Sequence, residues 1–183
     1  RRIKRPSLGI YQSFFGGQRR KAKGINPSAR KKGVNAMNRD IRARVRKLVS
    51  EHETRDPKRI ADDLGIDVIY KSYSYRTKGY FINLLGDSFI VVNDILNEDE
   101  RRIVLAHELG HAILHKTEDI YFIREHTLFP TGPLEEEANQ FAAELLIDCR
   151  DIDICMFKGW NNEQIGRYFR VSEELVEYKL RTE

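Results

Sequence analysis

The chain has 183 residues, 40% hydrophobic and 33% charged, enough for one core with a small appendage and a well-solvated surface. No apolar run approaches the length of a membrane span, and no charged-then-apolar segment near the start reads as a secretory signal, so membrane association is not expected. Cys149 and Cys155 are too few and too close for a disulfide framework or a cysteine zinc site, so reduced thiols and a cytoplasmic location are expected.

The net charge of +4 conceals an asymmetry. No acidic residue precedes Asp40, whereas 11 Lys and Arg residues lie before Met37. From Met37 onward the other 21 basic residues face 28 acidic ones, a balance of −7. Residues 1–36 show no apolar periodicity and contain Gly16-Gly17, Gly24, Pro27 and Gly33, so they read as a mostly disordered basic arm. Two meanings are open: a tail that touches nucleic acid or an acidic partner, or sequence upstream of a true start at Met37. In the second, Lys31-Lys32-Gly33-Val34 would translate a purine-rich ribosome-binding stretch. The second is favoured.

Beyond Met37 the pattern is orderly. Ile41, Val45, Leu48 and Val49 recur at helical spacing and predict an amphipathic helix over about 38–53. Asp56-Pro57 opens a short helix that ends at Gly65. Segments at about 67–74, 79–85 and 88–93, rich in β-branched and aromatic residues, are predicted strands, with Gly86-Asp87 as a tight hairpin. A buried helix follows from about Glu98 to Leu114, then a polar and aromatic loop over about 116–131. A helix from Gly132-Pro133 to about Ile147 and two or three short helices complete the chain. The expected fold class is α+β: a small antiparallel or mixed sheet packed on helices, with one central helix and a helical tail.

The central helix carries Ala106-His107-Glu108-Leu109-Gly110-His111. His107 and His111 stand one turn apart on one face, so both imidazoles can reach a single tetrahedral Zn2+. Glu108, offset by about 100°, lies beside the ion, placed to take a proton from water attacking a carbonyl carbon. His-Glu-x-x-His is thereby the spacing of a zinc metallopeptidase. The bland alternative is a surface helix with accidental histidines. Against it, Ile103, Val104, Leu105, Leu109, Ile113 and Leu114 make the helix apolar nearly all round, where polar groups need a metal or a cleft. Gly110, about 1 kcal/mol worse than Ala inside a helix, implies a close approach by something else.

A third protein ligand is needed, with a fourth position left open. The position six residues after His111 is Thr117, so the longer three-histidine motif is absent. Downstream candidates are His115, Asp119, Glu125, His126 and Glu135-Glu136-Glu137. His115 lies too far along the helix axis to share the ion and reads as structural. The three glutamates open a helix, where they would offset its dipole even without a metal. Relative to the apolar stripe Leu134, Ala138, Phe141 and Leu145, Glu136 points away while Glu135 and Glu137 flank it on opposite sides. Periodicity does not choose between those two.

The first motif, followed by Leu114-His115 and then Glu135-Glu136-Glu137-Ala138-Asn139-Gln140-Phe141-Ala142-Ala143-Glu144-Leu145-Leu146, resembles the ImmA/IrrE metallopeptidase family. The resemblance covers nearly everything from Met37 onward, but not the arm. It implies a gluzincin-like zinc site of two histidines and one glutamate. The glutamate just before Ala-Asn is Glu137, which joins His107 and His111 as the metal ligands, with Glu135 in reserve and Glu108 as general base. Ile147-Asp148 departs from the Met-Pro frequent there, without touching a ligand. The resemblance further implies a dedicated endopeptidase that cleaves a helix-turn-helix repressor of a mobile element or stress response. Composition and spacing do not show that substrate.

Phe89-Ile90-Val91-Val92 could offer an edge to which an extended substrate adds, although a core strand would look the same. Tyr80, Tyr121 and His126 are the candidates for steadying an oxyanion, without positional support. Residues 162–176 resemble a helix-turn-helix with Ser172 as a cap. Glu173, Glu174 and Glu177 would face phosphates there, so a packed helical subdomain is favoured over DNA binding, and any nucleic-acid contact falls to the arm. The expected organisation is an arm over 1–36, a peptidase domain over 37–150 and a helical subdomain over 151–183. The rival function is a non-catalytic transcriptional regulator or adaptor that uses the tail, with a merely structural metal helix.

Overall fold

The computed structural model describes residues 27–115, 132–148 and 159–181, with side chains from residue 40 onward. Cys149, Cys155, Tyr121, His126 and the expected loop at about 116–131 lie outside these residues. Helix α1 spans Pro27–His52, so it begins within the stretch expected to be a disordered arm. Proline suits a first helical turn, and the Ala, Arg and Lys residues that follow are strong helix formers without any apolar stripe. Farther along, Ile41, Val45 and Leu48 are buried, as their periodicity predicts. Helix α2 (Pro57–Asp63) is capped by the Asp56 carboxylate, which accepts from the Lys58 amide at 2.9 Å. Gly65, at φ 70°, turns the chain into the sheet.

The sheet has three strands, β1 (Ile66–Lys71), β2 (Gly79–Leu84) and β3 (Asp87–Asn93), in the order β1-β3-β2. β1 runs parallel to β3, and β2 antiparallel to it. Leu84 pairs with Asp87, so the hairpin turn is Leu85-Gly86, one residue earlier than expected. Both turn residues have positive φ, 54° and 91°, as a tight two-residue turn on twisted strands requires. β3 is paired on both sides, so Phe89–Val92 is the centre of the sheet and offers no edge. β1 ends at Lys71 because the buried Asn93 side chain takes over the next segment. Its amide donates to the carbonyls of Tyr73, Ser74 and Thr77 and accepts from the Tyr73 amide.

Helix α3 (Glu98–Leu114) starts with a reciprocal cap: the Asn97 side chain accepts from the Glu100 amide, and the Glu100 carboxylate accepts from that of Asn97. Every residue from Ile103 to Ala112 is buried. α3 packs against β2, β3 and α2, and against helix α4 (Pro133–Leu146). Two short helices follow, α5 (Asn162–Phe169) and α6 (Glu173–Leu180), the second capped by Ser172. The architecture is α+β, with six helices among the described residues. None of them is long and apolar enough to cross a membrane.

One core joins Ile41 and Val45 of α1, Ile60 of α2, Phe81, Ile90 and Val92 of the sheet, Leu105 and Leu109 of α3, Phe141 and Leu145 of α4, and Leu175 of α6. A buried ionic cluster ties the same helices together. Lys179 of α6 donates to the Glu144 carboxylate of α4 at 2.5 Å, and Arg42 of α1 reaches the other oxygen at 3.2 Å. Both Glu144 and Lys179 are less than a tenth exposed. Removing one member strands a buried charge, whereas replacing the pair by neutral groups need not. Glu144→Ala is therefore expected to lower unfolding free energy in urea by about 3–5 kcal/mol, and a Glu144→Gln, Lys179→Met double variant to recover most of that loss.

Candidate metal centre

Two helices must nearly touch for the site to form. A Cβ added at Gly110 would lie 3.1 Å from Phe141 Cδ1 and 3.2 Å from the Cα of Ala138. The glycine inside α3 is thus a point where α4 packs close against it. This contact brings the first turn of α4 over the histidines. His107 and His111 are 4% and 1% exposed, with their Nε2 atoms 3.1 Å apart. Glu135 Oε2 lies 3.2 Å from each of those nitrogens.

The structure differs from expectation in which glutamate lies against the two histidines. Glu135, the reserve, meets the two histidines. Glu137 instead lies beside His115, its carboxylate 3.7 Å from Nδ1. The reason is rotational: two residues are about 200° apart on a helix, so the two carboxylates leave opposite sides of the stripe, and the Gly110 contact turns the Glu135 side toward the histidines. His115 Nε2 donates to the Leu134 carbonyl at 3.2 Å, fastening the end of α3 to the start of α4. Burial, and then the neighbouring His111, hold its imidazole below the usual histidine range, while Glu137 pulls the other way.

The donor set fits a metal. Tetrahedral zinc with bonds of about 2.0–2.1 Å separates its donors by roughly 3.3–3.4 Å, close to the 3.1–3.2 Å seen among these three atoms. Two imidazole nitrogens and a carboxylate oxygen brought this close need a cation or a proton among them. Glu108 adds a second carboxylate that is 1% exposed. A divalent ion would balance the two negative charges. The ring of His107 is oriented from behind, where Nδ1 donates to Asn139 Oδ1 at 2.8 Å, leaving the Nε2 lone pair on the side of Glu135. Sequence reasoning passed over Asn139. Its signal was present: a polar residue one turn after Glu135, on a helix that is otherwise apolar along that face.

Glu108 is positioned by the sheet. At Gly79, the first residue of β2, a Cβ would lie 2.5 Å from Val104 Cγ1, 2.9 Å from the Val91 carbonyl and 3.5 Å from Glu108 Cγ. Only glycine lets β2 lie this close to α3 beside Glu108. Tyr80 alternates along β2 with Gly79 and Phe81, which face α3, and its hydroxyl lies 2.9 Å from that of Tyr73.

Gly110→Ala tests the helix contact. The methyl group must push on the Ala138 backbone, so a loss of about 1–3 kcal/mol in stability is expected despite the better helix propensity of alanine. A thermal melt at or above that of the unchanged chain would contradict this packing.

Residues 61–181 match the IrrE N-terminal-like domain of the Peptidase M78 family. The chain is 38% identical over 107 residues to uncharacterized immunity region protein 2 of Bacillus phage phi105, across 58% of this chain and 68% of that protein. It is 26% identical over 143 residues to metallopeptidase ImmA of Bacillus subtilis (strain 168), across 76% and 83% of the two chains. The family match runs from α2 to α6 and takes in both helices that converge at Gly110. On that extent of matching, the chain belongs to the Peptidase M78 family and is a metallopeptidase of the ImmA/IrrE type.

Proposed function

We propose that this protein is a zinc-dependent endopeptidase in which His107, His111 and Glu135 hold the ion and Glu108 is the general base. The observation that carries this is the meeting of two imidazole nitrogens and one carboxylate oxygen within 3.1–3.2 Å, next to a second buried carboxylate. Zinc bound there would supply Lewis acidity, lowering the pKa of a water molecule and polarising the scissile carbonyl. Glu108 takes the proton from the attacking water and later delivers it to the leaving amine. Asn139 keeps the His107 proton on Nδ1, so Nε2 remains a donor to the ion.

The peptide is held along β2, the outer strand on that side of the sheet among the described residues. An extended segment pairs with it as an added strand. The first residue of β2 abuts Glu108, which brings the pairing edge alongside the base. The likeness to a phage immunity region protein supports a substrate from the control circuit of a mobile element. A helix-turn-helix repressor, cut at one site in the cytoplasm, is the substrate we favour.

Three variants test this. Glu135→Ala is expected to weaken zinc binding by at least the 10–100-fold typical of changes around a metal, whereas Glu137→Ala leaves it close to that of the unchanged chain. Chelator competition reads both, and the reverse order would return the ligand role to Glu137. Glu108→Gln is expected to keep its zinc and to cut a co-expressed repressor about 10²–10⁴-fold more slowly. Undiminished biological activity in that variant would favour the non-catalytic adaptor.

A further inference from the structure

We propose that the loop over 72–78, which joins β1 to β2, is a recognition element for an acidic segment of the protein substrate beside the cleaved bond. The proposal rests on the peptidase reading above and adds the chemistry that its substrate carries. From Met37 onward the chain has a balance of −7, yet no acidic residue lies between Asp67 and Asp87, whereas Lys71, Arg76 and Lys78 do. Asp94 touches the loop, accepting from the Ser72 hydroxyl at 2.8 Å, and leaves positive charge in surplus. The Lys71 ammonium lies 5.5 Å from the centre of the Tyr73 ring, and among the described residues neither Lys71 nor Lys78 is paired with a carboxylate. At the tip, the Thr77 amide donates to the Ser74 carbonyl at 3.0 Å, closing a turn whose central residues, Tyr75 and Arg76, are both exposed. Tyr75 is 82% exposed, a large ring with no part in the core.

The loop is fixed from beneath. Asn93, fully buried, donates to the carbonyls of Tyr73, Ser74 and Thr77 and accepts from the Tyr73 amide. Its own backbone amide donates to the Lys78 carbonyl at 2.8 Å. The Tyr73 hydroxyl, 2.9 Å from that of Tyr80, ties the loop to β2 as well. A loop held this way loses little entropy on binding, and tyrosine and arginine are the side chains that most often anchor a protein partner. Its place is set by the same bonds. Lys78 precedes Gly79, whose Cβ would lie 3.5 Å from Glu108 Cγ. The loop is thus continuous with the β2 edge, at the end where the base stands. A peptide paired along β2 and running past Gly79 comes to Lys78 and then to Tyr75 and Arg76. Carboxylates in that part of the peptide are attracted, and basic side chains are repelled.

The test measures binding, on the full chain supplied with zinc, by fluorescence anisotropy at low ionic strength. The probes are two dye-labelled peptides of equal length, one alternating valine with glutamate and one alternating valine with lysine, and a labelled oligothymidylate. The valine–glutamate peptide is expected to bind more tightly than the valine–lysine peptide. Tyr75→Ala, and a Lys71→Glu, Lys78→Glu double variant, are each expected to weaken it about five- to thirty-fold. The basic residues before Met37 are the same in every variant, so only the share of the loop changes. Equal affinity in the unchanged chain and the double variant would overturn the proposal. Tighter binding of the oligothymidylate, lost in the same variants, would overturn it in favour of nucleic acid. Should a variant fail to fold, amide resonances of the unchanged chain decide: shifts over 72–78 on adding the acidic peptide support the proposal, and shifts confined to other residues contradict it. Acidic-peptide binding at the loop, together with undiminished biological activity of Glu108→Gln, would remove the peptidase reading alone.

Discussion

Gly110 has no side chain, and α4 occupies the space that one would fill, with Ala138 and Phe141 seated against the glycine. Nearly every feature of the site follows from that contact. It sets the distance between α3 and α4, and it fixes which side of α4 faces the histidines. One turn separates His107 from His111 on the first helix, and one turn separates Glu135 from Asn139 on the second. Packed together, the two pairs place the carboxylate at both Nε2 atoms and the carboxamide at the Nδ1 atom of His107. A wider spacing would part the carboxylate from the rings, and a different rotation would present another glutamate.

Buried polarity of this kind is tolerated only where each group finds a partner. Apart from Asn93, the described residues concentrate it in two places that share α4. Around Glu135 and Asn139 the partners are the histidines, and around Glu144 they are Lys179, Arg42 and Gln140. The second cluster brings α1 and α6 onto the back of the helix whose front builds the site. Arg55 closes the far end of α4 by donating to the carbonyls of Glu144 and Leu145. The helix that carries the carboxylate is held along its length, which suits a site whose geometry must be kept within a fraction of an ångström.

Much of this was legible in the sequence because it depends on local chemistry. The unbroken apolar run around the histidines marked α3 at about Glu98 to Leu114, and the β-branched segments located three strands to within a few positions. Gly110 announced a close approach before α4 was known to supply it. Other features depend on how elements meet, and periodicity within one element does not reveal that. The choice between Glu135 and Glu137 turned on the rotation of α4 about its own axis, which a symmetric stripe leaves open. The central place of β3 arose because β1 pairs with it in parallel, so a strand that could have been an edge is covered on both sides. The length of α1 escaped because its first turns have helix-forming residues but no apolar stripe.

In the function proposed, a sheet edge would align the substrate, one helix would supply two imidazoles and the base, and a second would complete the coordination of an ion. Zinc K-edge X-ray absorption on the loaded full chain tests that centre most directly. Two imidazole nitrogens and light oxygen donors at about 2.0–2.1 Å, four-coordinate in all, are the expected result. Sulfur scattering at about 2.3 Å, or a shell without imidazole, would contradict it.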